Sequence, residues 1–405
     1  MDSFDTISLH PATHDALARM DITTPTPIQA AVLELLLRGS DVIGQARTGS
    51  GKTLAFGIPL IERVDPRQRA VQALVLTPTR ELAIQVGGVL SALTAKRKID
   101  IALIFGGRSA GPQRKALQQG AQVVVGTPGR VLDLIRQDVL RMNRLKVLVL
   151  DEADEMLDRG FAPDVTRILT AAPRERQTAL FSATVPAWVR STSQRFLRDP
   201  HHVSVDPRPE DAAPVPHVAF EVDAGHKFRA LCDLLDQCGD GSILIFGRTK
   251  NGVHRLARQL TQAGYHVAGL QGNLSQPQRD NVMQRFRSGK VKILVATNVA
   301  ARGIDIDDIS HVINYELPET GKLLTHRVGR TGRMGRAGQA ITLLSPADRI
   351  KWADIEQGVG RQIPRAPWPG AKAALEATPE SVTASVPQRP MRKPYIVFSG
   401  RRGRR

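Results

Sequence analysis

The stretch GQARTGSGKTLAF, Gly44 to Phe56, follows the short apolar patch DVI and sets small residues on both sides of one lysine. A glycine-rich turn that leaves a strand and enters a helix points backbone N–H groups inward. The helix N-terminus adds partial positive charge, so such a turn suits phosphate oxygens. Lys52 is placed to reach the terminal phosphates and Thr53 to ligate magnesium, with Thr48, Gly49, Ser50 and Gly51 forming the turn. Ala46 stands where the general phosphate-binding loop has its first glycine. A second stretch, VLVLDEADEML, ends an apolar run in Asp151 and Glu152. Asp151 is suited to hold the metal through water and Glu152 to position the attacking water. Alone, the pair would read as an acidic helix start; with Lys52 and Thr53 upstream, the catalytic reading is preferred. A third stretch, HRVGRTGR (326–333), supplies three arginines among small residues, which opposite a nucleotide would stabilise charge on the phosphoryl group in transit. It lies in a half of the chain that has no G-K-T of its own, so the expected site is divided between two domains and active when they close.

Positioning such loops takes strands that end where they begin. Short β-branched or leucine-rich runs, ALVLT (73–77), QVVVGT (122–127), VLVLD (147–151) and TALFSAT (178–184), alternate with helical patterns such as RELAIQVGGVLSAL. That alternation predicts a parallel α/β sheet with ligand loops at the carboxyl ends of its strands. The rhythm breaks at DPRPEDAAPVPH (206–217), proline-rich and without apolar periodicity. It resumes at SILIFGR (242–248), HVAGL (266–270), KILVAT (292–297) and HVINY (311–315). Two α/β domains are expected, over 1–206 and 217–362, with a linker at 207–216. From 363 to 405 the sequence is proline-rich and basic, ending in SGRRGRR, and reads as a disordered tail.

Composition narrows the partner. A chain of 405 residues with 41% hydrophobic and 23% charged residues is globular and has no run of bilayer-spanning length. The start MDSFDTISLH lacks the basic and apolar regions of a signal peptide, and Cys232 and Cys238 lack the company of a zinc site or a disulfide framework, so a reducing cytoplasm is expected. The net charge of +17 favours a polyanion as partner.

Together with ARTGSGKT (46–53), the residues DEAD (151–154), PTRELA (78–83), TPGR (127–130), SAT (182–184), ARGID (301–305) and HRVGRTGR resemble the motif set of the DEAD-box ATP-dependent RNA helicases of bacterial type. TPTPIQ (24–29) resembles that family's adenine-reading Q motif, with Phe4 at the isolated upstream aromatic position. The resemblance runs from about residue 2 to residue 362 and implies two RecA-like domains in tandem. It implies that Thr24 and Gln29 bind the adenine side of ATP, that Asp305 lies near the ribose, and that Arg330 and Arg333 are the arginine fingers. It further implies that Asp154, Ser182, Thr184 and His326 couple the nucleotide to domain closure.

For RNA, three stretches share a design: Pro78, Thr79 and Arg80; Gly106, Gly107 and Arg108; Thr127, Pro128, Gly129 and Arg130. Backbone and hydroxyl donors with one arginine suit phosphate contacts rather than base reading. Gly272 and Thr297 are the matching candidates in the second domain. Aromatic residues are 4% of the chain, too few for base-stacking platforms, so single-stranded and duplex RNA should be bound without sequence preference. The mechanism expected from the resemblance is local strand separation with ATP and Mg²⁺ by a monomer. The alternative is an ATP-gated RNA clamp whose hydrolysis serves release. Protein partners, whether ribosomal or of mRNA decay, are not readable. Three positions depart from the family pattern: Ile22 for an aromatic, Asn298 for an aspartate and Leu324 for a tyrosine. The tail, with nine Lys or Arg against two Glu, is expected to tether RNA by counterion release.

Overall fold

The computed structural model describes residues 3–46, 49–205, 215–301, 309–332 and 338–370. The chain divides into two compact units, the division falling at residues 212 and 213. Each unit carries one seven-stranded sheet, and every strand pair in both is parallel.

The first sheet contains β1 (Val42–Gln45), β2 (Ala73–Leu76), β3 (Ile101–Ile104), β4 (Val123–Gly126), β5 (Val147–Leu150), β6 (Gln177–Ser182) and β7 (His201–Ser204). Their order is β3-β4-β2-β5-β6-β1-β7. The central strands are continuous apolar runs because both faces are covered by helices. Successive side chains point to opposite faces. Val75, Val125 and Val149 therefore join one core with Phe56 and Leu90, while Leu74, Val124 and Leu148 join another with Val131 and Ile168.

The second sheet contains β8 (His217–Glu221), β9 (Ser242–Gly247), β10 (Val267–Leu270), β11 (Ile293–Thr297), β12 (Ile309–Asn314), β13 (Gln339–Leu344) and β14 (Arg365–Pro367), in the order β10-β11-β9-β12-β13-β8-β14. The sequence predicts the end of this fold at 362, and here the structure differs. Strand β14 pairs with β8, Ile363 and Trp368 are buried, and Glu356 accepts hydrogen bonds from the Ile363 N–H (2.9 Å) and from Arg365 Nη2 (2.7 Å). Proline-rich RAPWP has no periodicity to betray it, yet an edge strand needs few ladder donors and tolerates proline. The rest of the expected tail, 371–405, and the expected linker up to residue 214 lie outside the described residues. Among the described residues, no helix is long and apolar enough to cross a membrane.

Candidate active site

The phosphate loop forms where β1 hands over to the helix Lys52–Arg63. Gly49 and Gly51 have φ of +83° and +90°, the left-handed region that side chains disfavour. Lys52 is 6% exposed, and its Nζ folds back to donate to the Ala46 carbonyl at 2.9 Å, which holds the ammonium within the turn. The Q-motif residues brace the same loop. Thr26 Oγ1 donates to the Ser50 carbonyl (2.8 Å), Gln29 Nε2 donates to the Gly51 carbonyl (3.0 Å), and Gln29 Oε1 accepts from the Thr26 N–H (2.8 Å). A Cβ on Gly51 would lie 2.6 Å from Gln29 Nε2, so any side chain there would push the Gln29 amide off the loop, and the φ itself favours glycine. Gln29 is therefore no surface glutamine; it is buried against the loop. Phe4 is buried in the core of the first unit, with the half-buried Ile22 packed on the same core, while Thr24 is exposed. Thr48 lies outside the described residues.

The carboxylates follow β5, two strands from β1 in the sheet with β6 between. Asp151 is 2% exposed, and burial pushes its carboxyl up to about 7, opposed by the positive charge of Lys52 and reinforced by the negative charge of Glu152. Its Oδ1 is buried and, among the described residues, has no hydrogen-bond partner. The orphaned carboxylate oxygen after β5 and the Thr53 hydroxyl in the first turn of the helix Lys52–Arg63 are hard oxygen donors of the kind that fit a cation such as Mg²⁺. Glu152 has φ 54° and ψ 54°, left-handed without being glycine, a conformation that costs about 1–2 kcal/mol. Strain of this kind gathers at functional sites.

Asp154 is clamped from β6. Its Oδ2 accepts from the Thr184 N–H (3.0 Å) and Oγ1 (2.7 Å); its own N–H donates to Ser182 Oγ (3.2 Å), which in turn donates to the Thr184 carbonyl (2.6 Å). The hydroxyls of Ser182 and Thr184 thus serve the DEAD segment and do not cap the next helix, whose N-cap is Pro186.

The RNA candidates of the first unit come together at the other half of the same sheet edge. PTR follows β2, GGR follows β3 and TPGR follows β4, three adjacent strands. Thr79 caps its helix by accepting from the Leu82 N–H at 3.1 Å. The Arg80 guanidinium crosses Gly107, where φ is +77° and a Cβ would lie 2.0 Å from Nη1. Arg130 Nη1 donates to the Arg108 carbonyl at 3.5 Å. Pro78, Thr79, Thr127 and Pro128 are buried, so Gly107, Arg108 and Gly129 are the exposed members, with Gly106, Arg80 and Arg130 between.

In the second unit, Gly272 follows β10 and Thr297 ends β11, the adjacent strand; Thr297 Oγ1 accepts from the Ala300 N–H at 3.3 Å. The two described arginines of HRVGRTGR, Arg327 and Arg330, differ in environment. Arg327 is 2% exposed, and burial lowers its guanidinium to about 9. It donates to Asn298 Oδ1 (2.6 Å), Asn314 Oδ1 (3.0 Å) and the Glu316 carbonyl (2.7 Å), and it stacks over the Phe246 ring. Arg327 is a structural group, which corrects the reading of all three as phosphate-facing. His326 and Arg330 line a small pocket with Phe246, Asn298 and Leu323. Leu324, the departure from tyrosine, is buried in a core with Leu317 and Trp352. Asp305 and Arg333 lie outside the described residues.

A wholly parallel sheet with a phosphate loop after β1 and metal-suited carboxylates after β5, repeated as a second sheet without the loop, defines a tandem RecA-like nucleoside triphosphatase. Residues 26–192 match the DEAD/DEAH box helicase model and 226–335 the helicase conserved C-terminal domain. The chain is 41% identical over 361 residues to the DEAD-box ATP-dependent RNA helicase CshA of Bacillus subtilis, covering 89% of this chain and 73% of the relative. It is 43% identical over 376 residues to CshA of Geobacillus kaustophilus, covering 93% and 80%. Among solved structures it resembles Saccharomyces cerevisiae Dbp5 bound to RNA and ADP BeF3, with 32% identity, a TM-score of 0.83, and coverage of 95% of this chain and 100% of that one. The chain belongs to the DEAD-box ATP-dependent RNA helicase family and is an ATP-hydrolysing enzyme.

Proposed function

We propose that this protein is an RNA-dependent ATPase that binds single-stranded RNA without sequence preference and locally separates RNA duplexes. The observation that carries the reading is the division of one sheet edge. Loops after β1, β5 and β6 hold the phosphate turn and its carboxylates, and loops after β3, β4 and β2 hold the arginine and glycine turns suited to RNA phosphates.

Lys52 leaves the Ala46 carbonyl to meet the β- and γ-phosphates. Gln29 keeps one N–H and one lone pair unused by the loop, enough to read the adenine edge. Asp151, through water, and Thr53 would hold Mg²⁺, whose charge would offset that of the phosphates. Glu152, held in its left-handed turn, aligns the attacking water. Arg330 and Arg333 stabilise the charge that develops on the phosphoryl group, and Asp305 contacts the ribose. Asp154, Ser182, Thr184 and His326 report the state of the nucleotide. RNA is gripped by Arg80, Arg108 and Arg130 with Gly106, Gly107, Thr127 and Gly129 of the first unit, and by Gly272 and Thr297 of the second. ATP and RNA each favour the closed form, so each raises the affinity for the other. The basic residues beyond Gly370 tether RNA electrostatically. The enzyme works as a cytoplasmic monomer.

The test is steady-state ATP hydrolysis by the wild type and Glu152→Gln, with no nucleic acid, with single-stranded RNA and with single-stranded DNA of one sequence. Stimulation by RNA alone, abolished in the variant, is expected. Equal stimulation by DNA would refute RNA dependence, and ATP-dependent RNA binding without hydrolysis would make the protein a clamp.

A further inference from the structure

Beneath Arg330 runs a chain of buried polar groups that crosses three neighbouring strands of the second sheet. Arg327 Nε donates to Asn298 Oδ1, just after β11, and Arg327 Nη1 donates to Asn314 Oδ1 at the end of β12 (3.0 Å). Asn314 Nδ2 donates to Thr342 Oγ1 on β13 at 3.1 Å, and Thr342 Oγ1 shares a 2.9 Å hydrogen bond with His217 Nε2 on β8. Asn314 and Thr342 are fully buried, so the chain excludes water along this stretch.

Such a chain in the middle of a hydrophobic sheet costs desolvation that apolar residues would avoid, and its return is a defined geometry. What it defines is the turn after the helix Gly321–Val328. The Arg330 N–H donates to the Arg327 carbonyl at 3.1 Å, and on the far side Thr331 is buried, with its hydroxyl donating to the Ile309 carbonyl. Arg330 is thus held between two buried anchors. The acceptors of the Arg327 anchor are amide and peptide oxygens, and among the described residues its buried Nη2 has no partner. Among the described residues, Asn314 is the side chain that fixes the Nη1 edge of the guanidinium, beside the Glu316 carbonyl.

We propose that Asn314, backed by Thr342 and His217, is a positioning residue for hydrolysis: by holding the Arg327 guanidinium it fixes the turn that presents Arg330, and so sets the turnover rate. The inference rests on the ATPase reading above and on Arg330 acting at the phosphates. A finger loosened by about an ångström loses on the order of 100-fold in rate.

The experiment compares RNA-stimulated kcat, the Kd of an ATP analogue and the melting midpoint for the full chain and for Asn314→Leu, Asn314→Asp and Thr342→Val. Asn314→Leu should lower kcat by about 10- to 100-fold and leave the analogue's Kd within about 2-fold, because the phosphate loop belongs to the first unit. Asn314→Asp keeps the acceptor for Arg327 and should restore kcat to within about 3-fold of wild type. A purely structural role would move the melting midpoint in both variants without this difference in kcat. A folded Asn314→Leu with kcat within about 2-fold of wild type would overturn the proposal, as would equal losses in the Leu and Asp variants. If Asn314→Leu does not fold, Thr342→Val decides: a kcat lowered about 3-fold or more supports the proposal and an unchanged kcat overturns it. Absence of RNA-stimulated hydrolysis in the wild type would instead defeat the functional reading itself.

Discussion

Glu152 joins a proposed catalytic role to backbone strain, and the two can be separated by replacing it with glycine and with alanine. Both substitutions remove the carboxylate, so both should abolish RNA-stimulated hydrolysis. Their stabilities should differ. At φ 54° and ψ 54° a side chain costs about 1–2 kcal/mol, which alanine keeps and glycine sheds. Glycine's greater freedom in the unfolded chain returns roughly 0.5–1 kcal/mol of that gain. The net is centred on about 0.75 kcal/mol in favour of Glu152→Gly, or a melting midpoint higher by about 1.5–3 °C for a unit of this size. Because every side-chain contact of Glu152 is lost in both variants, the comparison isolates the backbone. Calorimetry on the full chain, with ATPase assays beside it, gives both readouts. Glu152→Ala as stable as Glu152→Gly would refute the claim that the turn needs a left-handed residue, and hydrolysis surviving in either would refute the role of the carboxylate.

Three further predictions concern other parts of the fold. Gly51→Ala puts a Cβ 2.6 Å from Gln29 Nε2 at a φ of +90°, and fluorescent-nucleotide titration should show affinity for ATP falling by about 10-fold or more, while a Gly51 variant that binds as wild type would sink the bracing role of the Q motif. His217 is kept neutral by burial, its folded value about 4 against an ordinary 6.5; the second unit's stability should be whole above pH 6.5 and fall by roughly 3 kcal/mol as pH drops toward 4, a slope that urea melts of His217→Gln should lack. Truncation after Gly370 should leave the melting midpoint unchanged while lowering RNA affinity and flattening its salt dependence. Truncation after Arg361 should in addition destabilise the second unit by about 3–5 kcal/mol through loss of the buried Trp368 and of β14, and equal melting of the two truncated chains would refute this.

Much of this protein is legible in one dimension because much of it is local. A phosphate loop is a few consecutive backbone N–H groups and a lysine, and Gly49, Gly51 and Lys52 are neighbours in the chain. The buried strands ALVL, VVVG and VLVL declare themselves as apolar runs because helices cover both faces of a parallel sheet. Strands β7 and β14 do not, since edge strands such as HHVS and RAP have no apolar pattern to show. What only tertiary structure decided are the relations between strands distant in sequence. The order β3-β4-β2-β5-β6-β1 sorts the loops proposed for RNA from those proposed for the nucleotide, and no spacing in the sequence encodes that order. The bonds from Thr184 and Ser182 to Asp154 exist because β6 lies beside β5. Above all, Arg327 and Arg330, alike within HRVGRTGR, differ by environment: Arg327 is buried against Asn298, Asn314 and Phe246, and burial of a charge, with the partners it then requires, is a property of the folded chain and not of the motif.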